Sequence, residues 1–122
     1  MAKTLIALLG GITVMMGAIG SHALSSRLSP EDLSSYQTAI LYQFLHVIVL
    51  LILNTVAGLD HTAIKQINWL FGLGILFFSG SIYLIKLTPV TAKSIWFVTP
   101  LGGLLLISGW LLLAFRFYKT TT

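Results

Sequence analysis

The chain of 122 residues has no cysteine, and charge is almost as scarce, with seven Lys and Arg against three Asp and Glu. The missing cysteine excludes disulfides and thiolate metal sites, and it leaves the redox compartment unread. The missing charge excludes a water-soluble fold. Soluble domains carry about 25% charged residues; this chain carries 8% and is 57% hydrophobic. Ten charges cannot cover the surface of a globule, so the sequence is that of a membrane protein. The basic residues Lys3, Arg27, Lys65, Lys86, Lys93, Arg116 and Lys119 stand singly. Without a basic run, nucleic acid is not expected as a partner, and the net charge of +4 is read as topology marking.

Long apolar runs are what the chain does have. A helix needs about 20 apolar residues to cross a ~30 Å hydrocarbon core. Four stretches qualify, with spans expected at 4–24, 36–58, 66–86 and 95–116. The linkers are short and hold nearly all the charge, leaving no room for a soluble domain. Barrel strands would alternate polar and apolar residues, and these segments do not. The expected fold is therefore all-α: one integral membrane domain over 1–122, a four-helix bundle in which sequential helices are antiparallel neighbours.

Local signals mark the ends. In "SPED", 29–32, Ser29 is placed as N-cap, Pro30 at the first helical position, and Glu31 and Asp32 in the first turn. Pro100 either opens the fourth helix or kinks it. The first run has a rival reading, since Lys3, an apolar stretch and "SHA" at 21–23 resemble a signal peptide with a small-residue cleavage site. Against it stand Gly10, Thr13, Gly17 and Gly20, spaced three and four apart. Such a stripe lets another helix approach closely. Gly80, Gly102 and Gly103 are expected to serve packing in the same way.

Four spans place both ends of the chain on one side, here side A, with Lys3, Lys65, Arg116 and Lys119. Side B has Arg27, Lys86 and Lys93. The larger basic count makes side A cytoplasmic, in what is expected to be a bacterial inner membrane.

The stretch "ILYQFLHVIVLLIL", 40–53, poses the functional question: why does so oily a segment keep Tyr42, Gln43 and His46? Counting 1.5 Å per residue puts His22 roughly 7 Å from side B, and Gln43 and His46 roughly 5–10 Å below it. Ser79, Ser81, Tyr83 and Thr99 fall in the same layer. Tyr36, Tyr42, Gln43 and His46 share one helix side by their spacing. The economical reading is one polar cluster, built from all four spans and opening towards side B. Its ligand-binding candidates are His22, Tyr36, Tyr42, Gln43, His46, Ser79, Ser81, Tyr83 and Thr99. For Gln43, Ser79, Ser81 and Thr99 the competing reading is interhelical glue, at about 0.6–2 kcal/mol per bond. Tyr36, Tyr83, Trp69 and Trp96 also fit an interfacial aromatic belt. His46 is an ionisable group inside the core, where such groups are functional candidates. His61 follows Asp60 in a loop and is expected to be solvated.

The chemistry is bounded by what the layer lacks. Metal sites want three or four ligands, and no membrane-embedded Asp, Glu or Cys adds to the histidines. Haem would need His22 and His46 at one height on facing helices. Ser79 or Ser81 with His46 lacks an acid to orient the imidazole. No Walker loop, GxSxG or HExxH is present. No catalytic residue and no metal site is assigned, and any cofactor is left open.

Five blocks in order carry a family resemblance: "GAIGSHAL" (17–24), "YQTAILYQFLH" (36–46), "FFSGSIYL" (77–84), "TPLGG" (99–103) and "GW" (109–110). Over nearly the whole chain the sequence resembles the DUF423 family of small membrane proteins, which includes bacterial inner-membrane members and the eukaryotic transmembrane protein 256. The family's motif residues fall on His22, Tyr36, Gln37, Tyr42, Gln43, His46, Ser79, Gly80, Ser81, Tyr83, Thr99, Pro100, Gly102, Gly103 and Trp110. Position 19 is Ile where an aromatic or Leu is common. The resemblance implies a four-helix membrane protein without a signal peptide, and it implies no reaction.

The expectation is a non-enzymatic membrane protein. Its polar layer would bind a small-molecule ligand, a membrane lipid or a membrane protein partner. The alternatives are a subunit of a homo-oligomeric channel or carrier and, after that, a histidine-ligated redox protein or enzyme.

Overall fold

The computed structural model describes residues 1–56 and 58–121. Ala57, inside the expected 36–58 span, lies outside them. The elements are α1 (Ala2–Ile19), which continues as one π-helical turn (Gly20–Leu24), then α2 (Pro30–Thr55), α3 (His61–Leu87) and α4 (Val98–Thr121). Each is long and apolar enough to cross a membrane.

The helix starts follow the sequence signals. The Ser29 side chain accepts the Asp32 N–H at 3.1 Å with Pro30 next in line, and Asp60 caps α3 by accepting the Ala63 N–H at 2.9 Å. The connection after α3 makes turns from Thr91 to Ile95, and α4 begins at Val98. Pro100 therefore sits in the first turn of α4, where its missing N–H costs nothing.

Helices pack as sequence neighbours: α1 on α2, α2 on α3, α3 on α4, with no close backbone approach between α1 and α4 or α1 and α3. The seams repeat every three and four residues. In α2 the buried positions include Tyr36, Ala39, Gln43, His46, Leu50 and Leu53; in α4 they are Gly102, Leu106, Gly109 and Leu113. That 3.5-residue period is the geometry of left-handed supercoiled helices. It also answers the question of Gln43 and His46, which occupy consecutive seam positions. The apolar core is Ile6, Val47, Leu50, Leu53, Ile67, Phe71, Ile75, Leu106 and Leu113.

The glycines divide sharply. A Cβ on Gly102 would run into the Phe78 backbone nitrogen, and one on Gly109 into the Phe71 ring. On Gly74 it would lie 2.5 Å from Leu106, and on Gly20 2.6 Å from the Tyr36 ring. The other glycines expected to serve packing have more room. A Cβ on Gly10 would meet Val47 at 3.4 Å and one on Gly17 would meet Ile40 at 3.8 Å. Gly80 would meet only Leu76 of its own helix at 3.8 Å, and Gly103 only the Phe78 ring at 3.9 Å. The tight seam is α3–α4, and two of its glycines, Gly74 and Gly109, do not stand in the stripes read from the sequence.

Candidate functional site

In hydrocarbon, helices gain little from burying apolar surface, so small residues and hydrogen bonds hold them together. The polar side chains follow that rule, in two groups rather than one.

The first group fastens α1, α2 and α3. The Tyr83 hydroxyl donates to Gln43 Oε1 at 2.9 Å, the Gln43 amide donates to Thr13 Oγ1 at 2.8 Å, and Thr13 donates to the Leu9 carbonyl at 2.7 Å. Helical side chains lean towards their own N-terminus. Because α2 and α3 are antiparallel, Gln43 leans towards side B and Tyr83 towards side A, so they meet although their turns differ in height. The Tyr36 hydroxyl donates to the Met16 carbonyl at 2.6 Å, and its ring lies on Gly20 and 5.4 Å from the Tyr83 ring. The π-helical turn of α1 starts at that contact. Ser79 donates to the Ala39 carbonyl at 2.7 Å and sets the register of α3 on α2.

The second group lies towards α4. His46 Nδ1 is 2.6 Å from the Tyr42 carbonyl, which can only accept, and His46 Nε2 is 3.1 Å from the Trp110 indole N–H, which can only donate. The two bonds fix the Nδ1–H tautomer. Phe71 closes the cluster, 5.0 Å from the imidazole and 5.5 Å from Trp110, and Tyr42 stacks on Phe78 at 4.6 Å. Ser81 and Thr99 share a hydrogen bond across α3 and α4. Gln43 and His46 thus turn to opposite sides of the α2 seam.

The depth of His46 also departs from the expected 5–10 Å. Lys86 and Asp32 pair at 2.6 Å where α2 starts and α3 ends. His46 lies 14 residues further along α2, about 21 Å from that pair.

His22 is exposed on the π turn and joins neither group. That turn is level with Tyr36, ten residues or about 15 Å from His46 along the helix. The two histidines do not face each other, so the bis-histidine arrangement is not made. A metal at His46 would need the Nε2 lone pair, which Trp110 occupies. Among the described residues no three of His, Asp or Glu are grouped to hold a metal. Ser79 and Ser81 both donate to backbone carbonyls, and neither touches His46. His61, expected in a loop, is instead the first residue of α3, because Asp60 caps the helix there; it is exposed.

Both groups spend their polar atoms on each other. The residues matched to the family described as "Protein of unknown function (DUF423)" run from 16 to 103, through Tyr36, Gln43, His46, Ser79, Tyr83 and Thr99. The chain belongs to the DUF423 family. A UPF0382 membrane protein of Staphylococcus haemolyticus is 37% identical over 116 residues, covering 92% of this chain and 93% of that one. A UPF0382 membrane protein of Staphylococcus saprophyticus is 38% identical, covering 92% and 95%. One of Haemophilus influenzae is 37% identical over 119 residues, covering 96% and 93%. No solved structure matches. In this DUF423 protein two residues that complete the polar groups, Thr13 and Trp110, lie outside the matched span.

The open space lies elsewhere. Because α1 rests on α2 alone, a groove runs between α1 and α3 with α2 as its floor. Towards side B it is a cleft of about 420 Å³ bordered by Leu9, Ile12, Met16, Gln43, Gly72, Ile75, Leu76, Gly80 and Tyr83. It continues past Leu9 and Gly72 into a cleft of about 270 Å³ lined by Ala2, Leu5, Ile6, Leu50, Asn68, Trp69 and Leu73. It ends at a wider mouth of about 520 Å³ with Lys3, Thr4, Asn54, His61, Lys65 and Asn68. From Lys65 to Tyr83 is 18 residues, about 27 Å, nearly the thickness of the hydrocarbon. Sequence spacing did not show this groove, because its walls are ordinary lipid-facing residues. It exists through what α1 does not touch.

Proposed function

We propose that this protein is a non-catalytic membrane protein that holds a membrane-borne amphiphile in the groove between α1 and α3. One observation carries the reading: α1 packs on α2 only, which leaves a transmembrane cleft that is apolar along its length and polar at its ends. Of the candidate site residues, Gln43 and Tyr83 border that cleft. The others, apart from the exposed His22, tie helices together. The polar side chains a pore would require, Thr13, Gln43, His46, Ser79 and Ser81, are buried within one chain, which favours binding over conduction. The basic counts support an inner-membrane protein with the start of α1 and the end of α4 in the cytoplasm. A reporter fused after α4 should be active there, and activity on the opposite side would reverse the orientation.

The decisive variant is Gly72→Leu. Nothing lies within 4 Å of a Cβ at Gly72, so the fold tolerates a side chain that fills the groove at its middle. Native mass spectrometry of gently extracted protein should find bound lipid or another amphiphile on the wild type and little on Gly72→Leu. Equal occupancy in two equally stable proteins would remove the groove as the site.

A further inference from the structure

We propose that the occupant of the side A half of this groove is an anionic phospholipid, its head group held by Lys3 and Lys65 and one acyl chain laid along Leu5, Leu9 and Gly72. The inference rests on the groove reading and adds the class of ligand.

Charge complementarity carries it. Lys3 and Lys65 line the same mouth and make no ion pair among the described residues, where the two salt bridges are Lys86–Asp32 and Arg116–Asp60. Asp60, one residue before the mouth's His61, is drawn away to Arg116 and the Ala63 N–H. The mouth therefore presents two unpaired cations at the end of a helix bundle, where the head groups lie. Asn68 uses one of its two amide N–H bonds on Asn54 at 2.9 Å and keeps the other for an ester or phosphate oxygen.

The apolar part matches one leaflet. From Lys65 to Leu73 is about 12 Å along α3, close to half of a ~30 Å core. This stretch opens sideways to the bilayer between α1 and α3, and exposed Trp69 lies on its rim near the interface, where indole is favoured. A soluble anion would use the lysines and leave the groove empty. An acidic protein segment would have no use for an acyl-length furrow. A phospholipid satisfies both parts at once.

The test uses the full-length protein in nanodiscs of equal parts phosphatidylglycerol and phosphatidylcholine, released and weighed by native mass spectrometry. The wild type should retain phosphatidylglycerol over phosphatidylcholine by about thirtyfold, in line with two lysines near a membrane surface. Lys3→Gln/Lys65→Gln should keep its lipid count and fall to near parity. Lys3→Glu/Lys65→Glu should prefer phosphatidylcholine. Lys93→Gln, on an exposed position at the other end, should behave as wild type. All three lysines are exposed, and circular dichroism checks the fold of each variant. If the wild type carries the two lipids in the disc ratio while Gly72→Leu still removes them, the head-group assignment fails and the groove stands. If Gly72→Leu retains lipid as the wild type does, both fail.

Discussion

The two outer helices of this bundle are attached by different physics. Helix α4 lies on α3 through glycines: Gly102 and Gly109 let the Phe78 backbone and the Phe71 ring come as close as atoms allow, and Gly74 does the same for Leu106. Helix α1 lies on α2 with looser glycines at Gly10 and Gly17, and it is fixed by Thr13–Gln43, Tyr36–Met16 and the Tyr36 ring over Gly20. Close packing covers a whole seam and leaves no gap. Point fasteners hold a helix while leaving a furrow beside it. The groove beside α1 is thus a consequence of how α1 is attached.

Four substitutions or conditions break or sharpen that contrast. The largest effect belongs to the glycine seam. Gly102→Ala should cost about 3 kcal/mol or more, because the obstacle is backbone and cannot rotate away, whereas Gly103→Ala next to it should be nearly silent. Unfolding by detergent titration would measure both, and equal effects would mean that α3 and α4 are not in this register. Next comes the hydrogen-bonded side. Gln43→Leu leaves the Tyr83 hydroxyl without its acceptor and breaks the tie to Thr13, which keeps only the Leu9 carbonyl of its own helix, and should cost about 1–2 kcal/mol. Amide exchange should rise in α1 and stay unchanged in α4. Uniform loosening would contradict the division of labour. Third is Trp110→Phe, which removes one N–H from the His46 cluster while keeping an aromatic ring. About 0.5–1 kcal/mol of destabilisation is expected, together with loss of the hydrogen-bond signature of His46 Nε2 in nitrogen NMR. The smallest effect is at the α2–α3 turn. The Ala63 N–H, followed by the Arg116 charge, holds the Asp60 carboxyl below the usual carboxylate range. A lowered folded-state value means that its contribution is present above the ordinary Asp pKa of about 3.9 and fades as pH falls through the folded value. Thermal stability should therefore decline on acidification below that range, and Asp60→Asn should remove this part of the decline.

The four helices were legible because length and hydropathy alone decide a membrane span, and Ser29 and Pro30 act within their own turn, whereas the Asp60 cap was not read. Gln43 and His46 were legible as unusual because a Gln or His stands out against leucine, but the single layer expected of them is two separate groups. Their partners were not legible. Helical rise gives height along one helix, but neither the angle at which Gln43 and His46 diverge nor the second helix each one meets. Asn54 and Asn68, which pair reciprocally at 2.8 and 2.9 Å, went unconnected for that reason. Trp110 stands in the family's GW motif, yet nothing in the sequence says that its indole reaches His46, 64 positions away. The tight glycines had a readable signal that spacing within α1 obscured. Gly102, Leu106, Gly109 and Leu113 form a strict seam, and a glycine on a seam packs closely while one off it, like Gly103, does not.

The direction of the hydrogen bonds has a consequence for bioenergetics. A proton crosses a protein along groups that each take a proton on one side and release one on the other. The His46 imidazole is held between an indole that only gives and a carbonyl that only takes. The other chain runs one way from Tyr83 through the Gln43 amide to Thr13 and stops at the Leu9 carbonyl. As these bonds stand, neither path forms a two-way relay across the bundle.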